Sequence, residues 1–220
     1  MIKGYSHRKN KSTRMDDYNW FLTSYINDVQ RKTLLSNDDP VRYGCFLLAL
    51  EQINDEPVSG SFAECGVYKG ALSKFIHASA PDRTYYLFDT FDGFDKRDQD
   101  CYSEADNRFK DTGVDQVLNH IGEIRNIVIK KGFFPETTTE IIDEKFSLVI
   151  LDFDKYEPTL AALKFFYPLL SVGGFMFIHD YNNPESNWAC SRALKEFLSG
   201  KAEKMILIPD AWGSAVFRKI

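Results

Sequence analysis

The spacing of apolar positions changes character near residue 60. Between residues 16 and 35, Tyr18, Phe21, Leu22, Tyr25, Ile26 and Val29 recur at three- and four-residue intervals, the period of an amphipathic helix. Asn37-Asp38-Asp39-Pro40 interrupts that pattern and supplies a helix start. Val41, Cys45, Leu48 and Leu50 then predict a second helix to about residue 54. From residue 61 short apolar runs alternate with helical stretches. Strands are predicted over 62–67, 84–89, 126–130, 147–152 and 175–179, and helices over 70–80, 114–121, 135–142, 157–170 and 189–198. Gly173-Gly174 reads as the turn into the fifth strand. Residues 204–208 and 214–218 flank Pro209-Asp210-Ala211-Trp212-Gly213 and read as an antiparallel pair. Apolar strands alternating with helices predict an α/β protein with a mostly parallel seven-stranded sheet covered on both faces. The expected organisation is a basic flexible tail over 1–14, a helical cap over 15–56 and an α/β domain over 57–220.

Open sheets of this kind bind ligands beyond the carboxyl ends of their strands. The predicted strands place Glu64, Asp89, Asp152, Asp154, His179 and Asp180 there. Glu64-Cys65-Gly66-Val67-Tyr68-Lys69-Gly70 ends the first strand in a glycine turn that leads into a helix with free N–H groups. The spacing is neither GxGxxG nor a P-loop. It suits a cofactor bearing an amine and a carboxylate, with Glu64 facing its cationic part. Asp89 follows by some 20 residues, where a carboxylate holds the hydroxyls of a ribose. The alternative for each is an ordinary turn or cap. Asp152-Phe153-Asp154 and His179-Asp180 bring carboxylates to neighbouring strand ends, where they repel unless neutralised. An oxygen-rich cluster of this sort suits Mg²⁺, which would make a bound hydroxyl more acidic while a free carboxylate takes its proton.

Composition narrows the field. Aromatics are abundant at 15% of the 220 residues, and Phe91, Phe94, Tyr102 and Phe109 are placed either to line a pocket or to pin a loop. The longest apolar stretches fall far short of the roughly 20 residues that span a bilayer. The polar start does not resemble a secretory signal. Cys45, Cys65, Cys101 and Cys190 are scattered, without zinc or redox spacing, which suits a cytoplasmic setting. Lys3, Arg8, Lys9, Lys11 and Arg14 give the first 14 residues +5 of a chain total of -5, leaving -10 for the rest. That acidic body argues against a nucleic-acid partner. His7, His77 and His120 stand outside any cluster, and no Gly-x-Ser-x-Gly elbow occurs.

Taken in order, these segments resemble the class I S-adenosylmethionine-dependent methyltransferases, and more narrowly the macrocin O-methyltransferase family, whose members methylate sugar hydroxyls in antibiotic biosynthesis. The matching stretches are residues 64–70, Asp89-Thr90-Phe91-Asp92-Gly93-Phe94, residues 131–137 and Leu151-Asp152-Phe153-Asp154-Lys155-Tyr156, then residues 167–174 and His179-Asp180-Tyr181. Together they extend over about 40–218.

The resemblance implies a Rossmann-like fold and binding of S-adenosylmethionine through Glu64, Gly66, Val67, Tyr68, Asp89, Thr90, Phe91 and Asp152. It implies Mg²⁺, or another divalent ion such as Mn²⁺, on Asp152, Asp180 and His179. Asp154, Asp152 and His179 are the catalytic candidates, and which of the two aspartates is the base stays open. The expected acceptor is a sugar hydroxyl on a small molecule, with no nucleic acid and no membrane span; a homo-oligomer is left open. Two departures stand out: His179 replaces the first of two usual aspartates, and Phe153 replaces a glycine. They keep two alternatives alive, a catechol-type O-methyltransferase and a cofactor-binding domain without catalysis.

Overall fold

The computed structural model describes residues 28–36, 38–98 and 106–220. The basic tail over 1–14, the predicted helical positions 16–27, Cys101 and Tyr102 lie outside them. Helix α1 (Asp28–Ser36) precedes α2 (Pro40–Asp55), whose start is set by Pro40 and by the Asp39 carboxylate accepting the Arg42 N–H at 3.2 Å. The strands follow as β1 (Ser61–Cys65), β2 (Tyr85–Asp89), β3 (Ile127–Lys131), β4 (Phe146–Leu151), β5 (Leu170–Ile178), β6 (Ile206–Ile208) and β7 (Ser214–Arg218). Between them lie α3 (Ala71–Ser79), α4 (Val114–Ile121), α5 (Tyr156–Leu169) and α6 (Ala189–Leu198).

The sheet runs β3-β2-β1-β4-β5-β7-β6, with β7 antiparallel to both its neighbours and the other pairs parallel. The chain moves outward from β1 through β2 to β3, then returns to β4 on the other side of β1. That reversal opens a crevice between the ends of β1 and β4.

β1 and β4 are buried along their whole length because apolar layers cover both sheet faces. Phe62, Leu87, Leu148, Ile150 and Phe177 point into the layer beneath α1 to α4; Ala63, Phe88, Val149, Leu151 and Met176 meet α5 and α6. The opening helices belong to the first layer: Phe46 of α2 packs on Phe177 of β5 with ring centroids 4.7 Å apart. At the standard coefficient, each fully buried Phe or Leu side chain contributes about 1.5–3 kcal/mol.

Two predicted boundaries move. β5 begins at Leu170, not 175, because Gly173-Gly174 stays within the strand: the pairing slips from Phe146↔Leu170 to Leu148↔Phe175, and Gly173 takes φ +82° to absorb the extra residues. The segment expected as a helix over 135–142 is a 3-10 stretch, Glu136–Ile141. Among the described residues, no helix is long and apolar enough to cross a membrane.

Candidate active site

The turns after β1, β2, β4 and β5 converge on one crevice. Gly66 follows β1 with φ +88°, and a Cβ there would lie 2.0 Å from the Asp152 carbonyl oxygen. Only glycine lets the two strand ends come this close. Asp89 fastens the turn: one carboxylate oxygen accepts the N–H groups of Val67 at 2.7 Å and Tyr68 at 3.0 Å, the other that of Phe91 at 2.7 Å. Tyr68, Phe91, Asp154, Asp180 and Trp212 all adopt left-handed backbone, with φ of 51°, 54°, 60°, 54° and 64°. Such conformations cost energy and gather where surrounding structure holds a site in shape.

The crevice holds a cavity of about 340 Å³. Of the residues expected to bind the cofactor, Gly66, Tyr68, Asp89, Thr90 and Asp152 line it. Glu64, Val67 and Phe91 are buried and are not among its lining residues. Glu64 is 1% exposed, and its carboxylate takes hydrogen bonds from Ser73, at 2.9 Å, and from the Tyr85 hydroxyl. Burial pushes the Glu64 pKa up to about 7 against those bonds. Phe133 and Phe134 form an aromatic wall; Phe153 also lines the cavity and rests on Phe134 at 5.5 Å.

Asp152, Asp154, His179 and Asp180 are brought together, and residues not singled out from the sequence complete the group. Arg42 Nη2 donates to Asp152 Oδ2 at 2.6 Å. His179 Nδ1 stands 3.0 Å from Asp152 Oδ1 and 3.0 Å from Asp180 Oδ2, and Asn183 Nδ2 donates to Asp180 Oδ1 at 3.0 Å. Arg108 lies 3.9 Å from Asp154.

The charges sort accordingly. Burial alone would raise the Asp152 pKa, but His179 and Arg42 override it and hold the carboxylate below its ordinary range. Burial, a hydrogen bond with Asp180 and the charges of Asp180 and Asp152 push Asp154 up to about 9. His179 rises to about 10 because Asp152 and Asp180 outweigh its burial. These shifts favour ionised Asp152 and Asp180 beside Arg42 and a charged His179, with the shared proton on Asp154 rather than Asp180.

The ligand atoms of Asp152, His179 and Asp180 lie within 4.8 Å of one another. Spacing alone would allow a cation. The donor set fits one poorly, because the Arg42 guanidinium, a fixed cation that cannot ligate, already stands on Asp152 Oδ2, and Asn183 Nδ2 donates to Asp180 Oδ1.

The fold and this crevice define a class I methyltransferase: a β3-β2-β1-β4-β5-β7-β6 sheet with its site at the point where strand order reverses. The model of the macrocin-O-methyltransferase family matches residues 42–219, and the chain belongs to that family. It is 30% identical to mycinamicin III 3''-O-methyltransferase of Micromonospora griseorubida over 64% of this chain and 61% of that one. It is 27% identical to 8-demethyl-8-(2,3-dimethoxy-alpha-L-rhamnosyl)-tetracenomycin-C 4'-O-methyltransferase of Streptomyces olivaceus over 60% of this chain and 57% of that one. The chain thus spans less than two thirds of the length of these curated relatives. The solved structure of the O-methyltransferase NovP shares the fold, with a TM-score of 0.68 at 23% identity over 82% of this chain and 80% of that one.

Proposed function

We propose that this chain is an S-adenosylmethionine-dependent O-methyltransferase acting on a hydroxyl of a sugar or of a glycosylated small molecule. The observation that carries this reading is one cavity flanked by Asp89 and the Gly66 turn on one side and by Asp152, Asp154, His179 and Asp180 on the other, in a member of the macrocin-O-methyltransferase family. The named substrate of one relative carries a rhamnosyl group.

The residues present suit S-adenosylmethionine. The cavity is of ligand size, Asp89 stands at its edge where a carboxylate can accept from a ribose, and Phe133 and Phe134 give part of its lining an apolar character that suits a base. When bound, the cofactor supplies a sulfonium methyl whose bonding electron pair stays on sulfur. The protein's share is placement, since methyl transfer needs the acceptor oxygen in line with that carbon. Asp152 and Asp180 are fixed by Arg42, His179 and Asn183 and present a rigid polar wall to the acceptor. Asp154, once it has lost the proton it shares with Asp180, accepts the hydroxyl proton as the oxygen gains the methyl group. The divalent ion implied by the resemblance would have to displace Arg42 from Asp152.

Incubation with S-adenosylmethionine and two acceptor panels, deoxysugar glycosides and catechols, read by mass spectrometry, tests the reading. Methylated glycosides are expected. Methylation confined to catechols would move the acceptor class to phenols, and no product from either panel would count against catalysis on such hydroxyls.

A further inference from the structure

Arg42 sits in the first turn of α2, and its side chain is only 15% exposed. It lines the cavity, and its Nε is buried without a hydrogen-bond partner. The base of this side chain is held firmly. Asp39 caps the helix through the Arg42 N–H at 3.2 Å, while its other oxygen accepts the Ala211 N–H at 3.1 Å and ties the helix start to the turn before β7. From there the guanidinium reaches Asp152 at 2.6 Å, opposite His179.

A guanidinium is charged at every working pH and cannot act as a ligand. A divalent ion on Asp152 would have to dislodge a fixed positive charge already within hydrogen-bonding distance. Asp180 offers no easier ground, because Asn183 and His179 occupy its two oxygens.

We infer that Arg42 is the resident cation of this site: it neutralises and positions Asp152 where a divalent ion would otherwise sit, and it keeps such an ion out. This rests on the methyl-transfer reading for its purpose, but its test needs no acceptor. Arg42 is a positioning residue, acting on the acceptor only through Asp152 and, beyond it, His179.

The full chain, saturated with S-adenosylhomocysteine, is titrated with Mn²⁺ to about 1 mM, the weak end of carboxylate-site affinities, and bound ion is read by electron paramagnetic resonance. The unaltered protein should leave the free-ion signal intact. Arg42→Ala should bind one Mn²⁺ per chain at least about a hundredfold more tightly, because a unit charge a few ångström away acts strongly in a half-buried site. Arg42→Lys keeps the charge and should stay silent. Equal behaviour of the unaltered protein and folded Arg42→Ala, whether both bind one Mn²⁺ or neither does, would overturn the inference. If Arg42→Ala does not fold, Arg42→Gln takes its place, and the unaltered protein alone still decides, since tight binding there is already contrary. Failure to bind S-adenosylhomocysteine counts against the methyl-transfer reading instead, and the Mn²⁺ comparison then proceeds without it.

Discussion

Asp89 joins the fold to the proposed chemistry, and Asp89→Asn separates the two. The carboxylate accepts three backbone N–H bonds, from Val67, Tyr68 and Phe91, at 2.7 to 3.0 Å. An asparagine keeps one acceptor oxygen. Turned to serve Val67 and Tyr68, it sets its own NH₂ against the Phe91 N–H; turned the other way it loses two bonds. The remaining bonds also lose their charge. A hydrogen bond to a charged group is worth about 1.5–3 kcal/mol, so a net cost of about 2–3 kcal/mol is expected, the ends of both turns being half-open to solvent. For a protein of this size each kcal/mol lowers Tm by about 2–4 °C, giving a fall of about 4–12 °C by scanning calorimetry. The ribose would lose its charged acceptor as well, weakening S-adenosylhomocysteine by roughly 10- to 100-fold in an isothermal titration. An unchanged Tm together with unchanged affinity would refute both roles of Asp89.

Four further outcomes follow from the site. Asp154 must lose its proton to serve as base, so kcat/KM should rise with pH through about 9; Asp154→Asn should remove that rise and cost about 10²–10⁴ in rate, whereas a flat profile in the unaltered enzyme would speak for another base. His179 has a folded-state value near 10, above the ordinary value of about 6.5. Its stabilisation is therefore complete below pH ~6.5 and lost as pH climbs through about 10; thermal melts should fall over that window, and less so in His179→Asn. Phe134 packs among Phe88, Phe153, Phe165 and Phe166, and Phe134→Ala should cost about 3–5 kcal/mol in urea unfolding. Gly66→Ala forces a Cβ into the Asp152 carbonyl and should abolish S-adenosylhomocysteine binding even where the circular dichroism spectrum is kept.

The helices with a strong 3.6-residue period were legible almost to the residue: Val114–Ile121 and Ala189–Leu198 stand where the spacing put them. So were the terminal pair and the strand ends that carry Asp89, Asp152 and His179-Asp180. Gly173-Gly174 misled because a strand can hold two glycines when its partner slips register, and local sequence does not record the partner. The direction of the Glu64 side chain was hidden for a related reason. A strand buried on both faces shows no alternation, so nothing in Ser61–Cys65 tells which face a side chain takes, and Glu64 turns to Ser73 and Tyr85. Arg42 and Asn183 were missed because one is a lone cation in a helix start and the other a loop asparagine. Their meaning comes from tertiary placement beside Asp152 and Asp180. Asn183 alone left a trace, standing three residues after Asp180 in the same loop.

If the crevice between β1 and β4 is a methyl-donor site built on Asp89, the full chain binds the demethylated cofactor there. Calorimetric titration of the full chain with S-adenosylhomocysteine measures that binding. One molecule bound per chain is expected, with the heat abolished or sharply reduced in Asp89→Ala. No heat from the unaltered protein, or equal heat from both proteins, would mean that the methyl donor is not held there by Asp89.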